Sequence, residues 1–332
     1  MIELNFLNCI LQEDKELAKK IWLTDNDKLQ SILSKSRLKN HYLRLLTLND
    51  IDLADEIYAY LENEVLKQTL KQEFAAILSH ELRSNKINHI FFKGSIFSSL
   101  YYQNASDRYY SDFDVLIDIH DLKKIYKFLD SKEYAHLNNQ KFINRVGFCR
   151  NALEVIDTDF GPIDMHHRIF SKFFMKECKI SFDALKEVRE LSGINHTCDE
   201  INLCILLYHA CEQDKQYIDP YYLIDFSLIK KSKNFNTEKL FKLLKKYRLE
   251  AHFNFCEKVI KRLMNGDINC AENLFLKAEK SKKVITKNIL KAQMCQLYDP
   301  VPYMHAKTKR LHFNYFEFLA LKFKKFSESL KQ

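Results

Sequence analysis

A chain of 332 residues is long enough to form two domains with real cores. Hydrophobic residues make up 46% and charged residues 29%, which suits a globular protein, and no apolar run approaches the roughly 20 residues a membrane span needs. The formal net charge of +8 gathers at one end: from Lys277 onward thirteen Lys and Arg face four Asp and Glu, a surplus of +9, so the first 276 residues sum to −1.

Five glycines and four prolines predict few long loops and a high helix content. Nine cysteines, an odd number, are scattered at apolar positions such as Cys204 and Cys211. No close Cys-x-x-Cys pair occurs, which argues against zinc and a disulfide scaffold and fits a reducing cytoplasm. Met1-Ile2-Glu3-Leu4 lacks the basic start of a signal peptide. A cytoplasmic protein without a membrane partner is expected. The basic stretch after Lys277 reads as a solvated Lys-rich helical face, or as a surface for nucleic acid or an acidic partner.

Residues 1–86 read as helices, broken over 13–22, 28–33 and 43–53 and clear over about 52–82. Leu66, Leu70, Phe74, Ile77, Leu78 and Leu82 fall at steps of three and four, which predicts a core-facing stripe. This block is expected to pack on the strand-bearing part and to carry no chemistry.

Chemistry concentrates in the next stretch. Ile90-Phe91-Phe92 reads as a strand that stops at Gly94, where the backbone must turn tightly or approach a ligand closely. Ser95 opens a predicted helix over about 96–103, whose free N–H groups and positive dipole end offer a seat for phosphate oxygens. Asp112-Phe113-Asp114-Val115-Leu116-Ile117 reads as a second strand. Alternation puts both carboxylates on one face and Phe113, Val115 and Ile117 on the other. Adjacent carboxylates repel; a hard divalent cation such as Mg2+ removes that cost and can hold a nucleotide phosphate. A helix after Asp121 to about Leu129, a short strand over 133–137 and a strand over 148–156 follow. Gly161 to Arg168 reads as a strand with Asp164 and His166 on one face and Ile163 and Met165 on the other. Three carboxylates on neighbouring strands beside a Gly-Ser turn suit a two-metal phosphoryl-type transfer.

From about Phe182 the pattern is helical again. Thr197-Cys198-Asp199-Glu200 reads as a capping box opening a buried helix to about Cys211. Asp219-Pro220 opens the next helix, with proline at its first position. Helices over 237–247 and 253–264 follow, and Asp299-Pro300-Val301-Pro302 is the last break.

Lys93-Gly94-Ser95, Arg108 four residues before Asp112, Ser111 through Ile117, and Ile163-Asp164-Met165-His166-His167-Arg168 together resemble the DNA polymerase beta-type nucleotidyltransferase superfamily. More narrowly, they resemble a bacterial family of uncharacterised nucleotidyltransferases. The resemblance is close over about 87–170 and continues weakly to about Lys230, through Leu206 to Ala210 and Leu223-Ile224-Asp225. His167 departs from it, standing where many members carry Trp.

The resemblance implies an α+β fold: a small mixed-sheet nucleotidyltransferase core over 87–180, an N-terminal helical region over 1–86 and a C-terminal helical domain over 181–332. It implies transfer of a nucleoside monophosphate from an NTP, with ATP expected, to a hydroxyl of a small molecule, peptide or protein, releasing pyrophosphate. In that reading Asp112, Asp114 and Asp164 are catalytic and hold two Mg2+ ions. Gly94 and Ser95 grip the β- and γ-phosphates, while Lys93, Arg108, Ser111 and His166 contact the nucleotide.

Structural roles stand beside these. Lys93 can be a solvated strand end, Arg108 can tie its loop to an acid, and Ser111 can cap the Asp112 loop. His166, His167 and His209 can be structural histidines, and Tyr101, Tyr102, Tyr109 and Tyr110 can pack in the core or stack on a base. The basic stretch favours an RNA end as an alternative acceptor. A nucleotide-binding or interaction module without a reaction is the third reading.

Overall fold

The alternating apolar segments meet in one four-stranded mixed sheet, seen in a computed structural model that describes residues 2–24, 39–48, 53–131, 152–156, 158–167, 169, 180–209 and 221–267. The strands are β1 (His89–Phe92), β2 (Phe113–Ile117), β3 (Ala152–Ile156) and β4 (Ile163–His166), in spatial order β1-β2-β4-β3. β2 is antiparallel to β1 and parallel to β4, and β3 closes the far edge antiparallel to β4. Every residue of β1 and β2 is buried, although β1 is an edge strand, because the helices Asp55–Ser84 and Gly94–Tyr101 and the strand Ile194–His196 pack against it.

Helices surround the sheet. Before it come α1 (Ile2–Gln12), α2 (Lys15–Thr24), α3 (Lys39–Thr47) and α4 (Asp55–Ser84). Within it lie α5 (Gly94–Tyr101) and α6 (Leu122–Ser131). After it come α7 (Ile180–Lys186), a hairpin of β5 (Arg189–Leu191) and β6 (Ile194–His196), then α8 (Asp199–Tyr208), α9 (Tyr221–Lys230), α10 (Thr237–Tyr247) and α11 (Glu250–Met264). α4 packs on β1, α5 and β6, whereas α1 packs on α9 and α11 from the other end of the sequence. Gln12 Nε2 donates to the Leu263 carbonyl at 3.4 Å across that join. One hydrophobic cluster runs from Leu7 through the sheet to Leu263, and all described residues belong to one unit, Met1–Glu279. Among them no helix is long and apolar enough to cross a membrane.

Three expectations are corrected. The stripe on α4 is only half buried: Leu78 and Leu82 reach the core, but Leu66 and Ile77 are 58% and 60% exposed and Leu70 is also exposed. The buried face instead includes Glu64, Gln68 and Ser79, because α4 meets a polar network there. Asn40 Nδ2 donates to Glu64 and to the Ser106 carbonyl, and the Tyr60 hydroxyl donates to Asn40 Oδ1. An apolar period cannot report a face that is buried against hydrogen bonds.

The region after 182 is not wholly helical. Ser192 and Gly193, at φ 49° and 83°, form a two-residue turn with both central residues left-handed, the geometry that suits the twist of a tight hairpin. The capping box also fails. Cys198 is the residue capping α8, and no side chain caps that end. Glu200 reaches away to accept from the Asn236 N–H. Thr237–Tyr247 forms as expected, and its cap is Asn236, whose side chain accepts from the Lys239 N–H. The expected elements at 28–33 and 133–137, Pro220, the break at 299–302 and the basic stretch after Lys277 lie outside the described residues.

β1 is tied to its neighbours by a buried polar chain. The Asn195 N–H donates to Ser79 Oγ, which lies 2.9 Å from His89 Nε2, while His89 Nδ1 lies 2.9 Å from the Ile87 carbonyl. A carbonyl only accepts, so Nδ1 carries the proton and Nε2 accepts from Ser79. A neutral imidazole satisfies every partner.

Candidate active site

Parallel pairing of β2 and β4 sets Asp114 and Asp164 as direct register partners. They point to the same face, opposite the buried Val115 and Met165. His166 follows two residues after Asp164 on that face. One ligand atom from each of Asp114, Asp164 and His166 lies within 4.8 Å of the others. Asp114 Oδ1 accepts from Lys93 Nζ at 2.9 Å and is 2.9 Å from His166 Nε2. The Phe92 ring meets the His166 imidazole edge to face at 5.3 Å and fixes its plane.

The two carboxyls titrate in opposite directions. Burial alone would raise Asp114, but the Lys93 ammonium and the His166 hydrogen bond outweigh it and hold the group well below the carboxylate range. Asp164 is half-buried; desolvation first, and then the negative charge of Asp114, raise it above its ordinary value. His209, after α8, also feels this cluster. Burial is the main cause of its depressed pKa, and the charge of Lys93 adds to it. Its Nδ1 lies 3.4 Å from the Tyr222 hydroxyl.

The turn after β1 is strained. Lys93, the residue before α5, sits at φ 61° and ψ −130°, a conformation that costs a non-glycine residue about 1 to 3 kcal/mol. Gly94 is required by close packing: a Cβ there would lie 2.6 Å from the Cβ of Tyr110. Ser95 is buried, and its hydroxyl has no hydrogen-bond partner among the described residues. On the other flank Gly161, at φ 119°, lets the chain pass the Ser111 carbonyl, which a Cβ would meet at 2.5 Å. The Phe113 N–H then donates to the Pro162 carbonyl at 2.9 Å, locking β2 to β4 one residue before the acidic pair.

The remaining candidates sit further out. Asp112 stands in the turn before β2, half-exposed, with Ser111 Oγ at 3.3 Å from its Oδ1. It lies outside the compact group, though its charge contributes to raising Asp164. Arg108 is buried against Asp225 of α9, its Nε at 2.8 and 3.0 Å from the two carboxylate oxygens. Its guanidinium lies 4.4 Å from the centre of the Tyr221 ring. That is the tie to an acid which the sequence left open as a structural role. Tyr101 donates to Asp199 and Tyr102 to Asp225, and Tyr110 is buried. Of the four tyrosines only Tyr109 is exposed, near Lys71 Nζ, which donates to the Tyr110 carbonyl at 2.9 Å.

Sequence reasoning missed Asp225 as the partner of Arg108, Gly161 as the residue that admits β4, and His209 as a neighbour of the acids. The rarity of glycine was a usable signal for Gly161. Nothing local pointed to the other two.

Two carboxylates and one imidazole fit a divalent cation. The oxygens suit Mg2+ or Mn2+, and the imidazole nitrogen also suits transition metals. A close acidic pair, one member buried and the other half-buried with its pKa raised, gains when a cation neutralises it.

A mixed sheet carrying this pair beside a Gly-Ser helix start defines a nucleotidyltransferase-type domain. The chain belongs to the family described as uncharacterised nucleotidyltransferases, whose match runs over residues 25–265, well over half of the sequence. No curated protein and no solved structure matches the chain. Membership makes the protein a transferase that uses a nucleoside triphosphate.

Proposed function

We propose that the protein transfers a nucleoside monophosphate from an NTP, with ATP as the preferred donor, to a hydroxyl of a small molecule, peptide or protein. The observation that carries this reading is the register pairing of Asp114 with Asp164, with His166 beside them. Asp114, Asp164 and His166 would hold one divalent cation, Mg2+ in the expected case, and Asp112 would join Asp114 around a second. When bound, the cations offset phosphate charge and acidify the acceptor hydroxyl.

The chain's own residues do the rest. The start of α5, with the buried Ser95 hydroxyl and the N–H groups after Gly94, seats the β- and γ-phosphates. Lys93 and Ser111 border that seat. The acceptor oxygen attacks the α-phosphorus, the bond from that phosphorus to the bridging oxygen breaks, and pyrophosphate leaves with the bonding pair. Asp164, half-open to solvent, stands where it can take the acceptor's proton. Arg108 acts indirectly, holding the loop before Asp112 against α9.

An RNA end as acceptor is the second reading, favoured by the +9 surplus after Lys277. Incubation with each NTP labelled at the α-phosphate, Mg2+, and either cell extract or tRNA separates the two. Label on protein or on a small product is expected. Label on tRNA selects the second reading. Saturable NTP binding without pyrophosphate release overturns both.

A further inference from the structure

Asp114 Oδ1 accepts from Lys93 and from His166 at once, each at 2.9 Å. A carboxylate oxygen has two lone pairs, so both are in use. A dication on either oxygen of this carboxylate also lies close to the ammonium, and the two repel across a buried, weakly screening site. His166 does not have to leave, because an imidazole is itself a ligand for such a cation, whereas an ammonium is not. Lys93 is the group that must give way. Its side chain is 19% exposed, so it has a path out. It is also the residue immediately before α5, where a nucleotide's phosphates would give its charge a new anion.

We infer that Lys93 is a charge gate: it competes with the divalent cation for Asp114 and releases the carboxylate only when nucleotide phosphates take up its ammonium. This rests on the reading of the site given above and adds its order of binding. Cation and nucleotide then bind cooperatively, and by linkage each tightens the other by the same factor. Without nucleotide the acidic pair holds free cations more weakly, by that same factor.

Free Mn2+ counted by electron paramagnetic resonance, with and without α,β-methylene-ATP, tests this on the full chain. For the unchanged protein, the analogue should tighten Mn2+ binding by about tenfold or more, within the usual range of coupling. Lys93→Met keeps the length and the backbone strain but removes the charge. It should bind Mn2+ about tenfold more tightly without nucleotide and show little further gain with it. Lys93→Arg keeps the charge and should keep the coupling. If Lys93→Met binds Mn2+ no more tightly than the unchanged protein, or retains full coupling, the gate is refuted while the metal site stands. If the unchanged protein binds no Mn2+ even with the analogue, the gate falls together with the metal site.

Discussion

Lys93 and Asp114 form an ion pair that joins a strained turn to a central strand, 2.9 Å from Nζ to Oδ1. Asp114 is buried and doubly hydrogen-bonded, whereas for its register partner Asp164 desolvation and the Asp114 charge outweigh the pull of His166 and Lys93. The two acids therefore differ in what they contribute to stability.

Asp114→Asn and Asp164→Asn should both abolish transfer. The loss should exceed about a hundredfold, the upper end of what outer-shell partners of a metal site cost. Their stabilities should split. Asp114→Asn removes the charge that Lys93 and His166 both bond, with Lys93 still able to reach solvent, and should cost about 1 to 3 kcal/mol. Asp164→Asn removes a charge that the fold disfavours and should leave the protein as stable or more so. Urea unfolding checks the split, and equal losses would contradict it.

Arg108 and Asp225 are 117 residues apart in sequence and both buried. Removing either charge should cost about 3 to 5 kcal/mol by stranding the other. Lys at position 108 should not rescue, because the pairing uses Nε and the guanidinium stacks on Tyr221. Thermal melts of Arg108→Met and Arg108→Lys read this; near-native stability in the lysine variant would contradict it.

Gly161→Ala should destabilise by about 1 to 3 kcal/mol, from left-handed strain and the close Ser111 carbonyl. It should also impair transfer more than its stability loss explains, since Gly161 sets how β4 meets β2. Measuring activity well below the melting range separates the two effects.

His89 is fully buried, and burial lowers its pKa from the ordinary 6.5 to about 4. Between those values the unfolded chain binds a proton that the fold refuses. Stability is thus full above pH 6.5 and falls as pH drops toward 4. The loss from this group is about 2 kcal/mol at pH 5. His89→Gln should be less stable at pH 7 yet lose less between pH 7 and 5, as measured by urea midpoints. An unchanged pH slope would contradict the assignment.

Much of the site was legible because strands have period two. Asp114, Asp164 and His166 share a face for that reason, and Gly94 announces its turn by rarity. What escaped was non-local or too short. Asp225 lies on another helix, and no spacing links it to Arg108. The Lys93–Asp114 pair depends on a left-handed lysine that no propensity predicts. β5 and β6 have three residues each, too few for a period, and only Ser192-Gly193 marked their turn. On α4 the buried face is partly polar, so the apolar stripe at Leu66, Leu70 and Ile77 misled.

The central claim is that Asp114 and Asp164 share a cation beside a nucleotide seated on α5. A crystal structure with Mn2+ and α,β-methylene-ATP, with anomalous data at the manganese edge, tests it most directly. The account predicts an anomalous peak between the two carboxylates and the β- and γ-phosphates against Ser95. Nucleotide bound elsewhere, or no manganese peak touching Asp164, would contradict it.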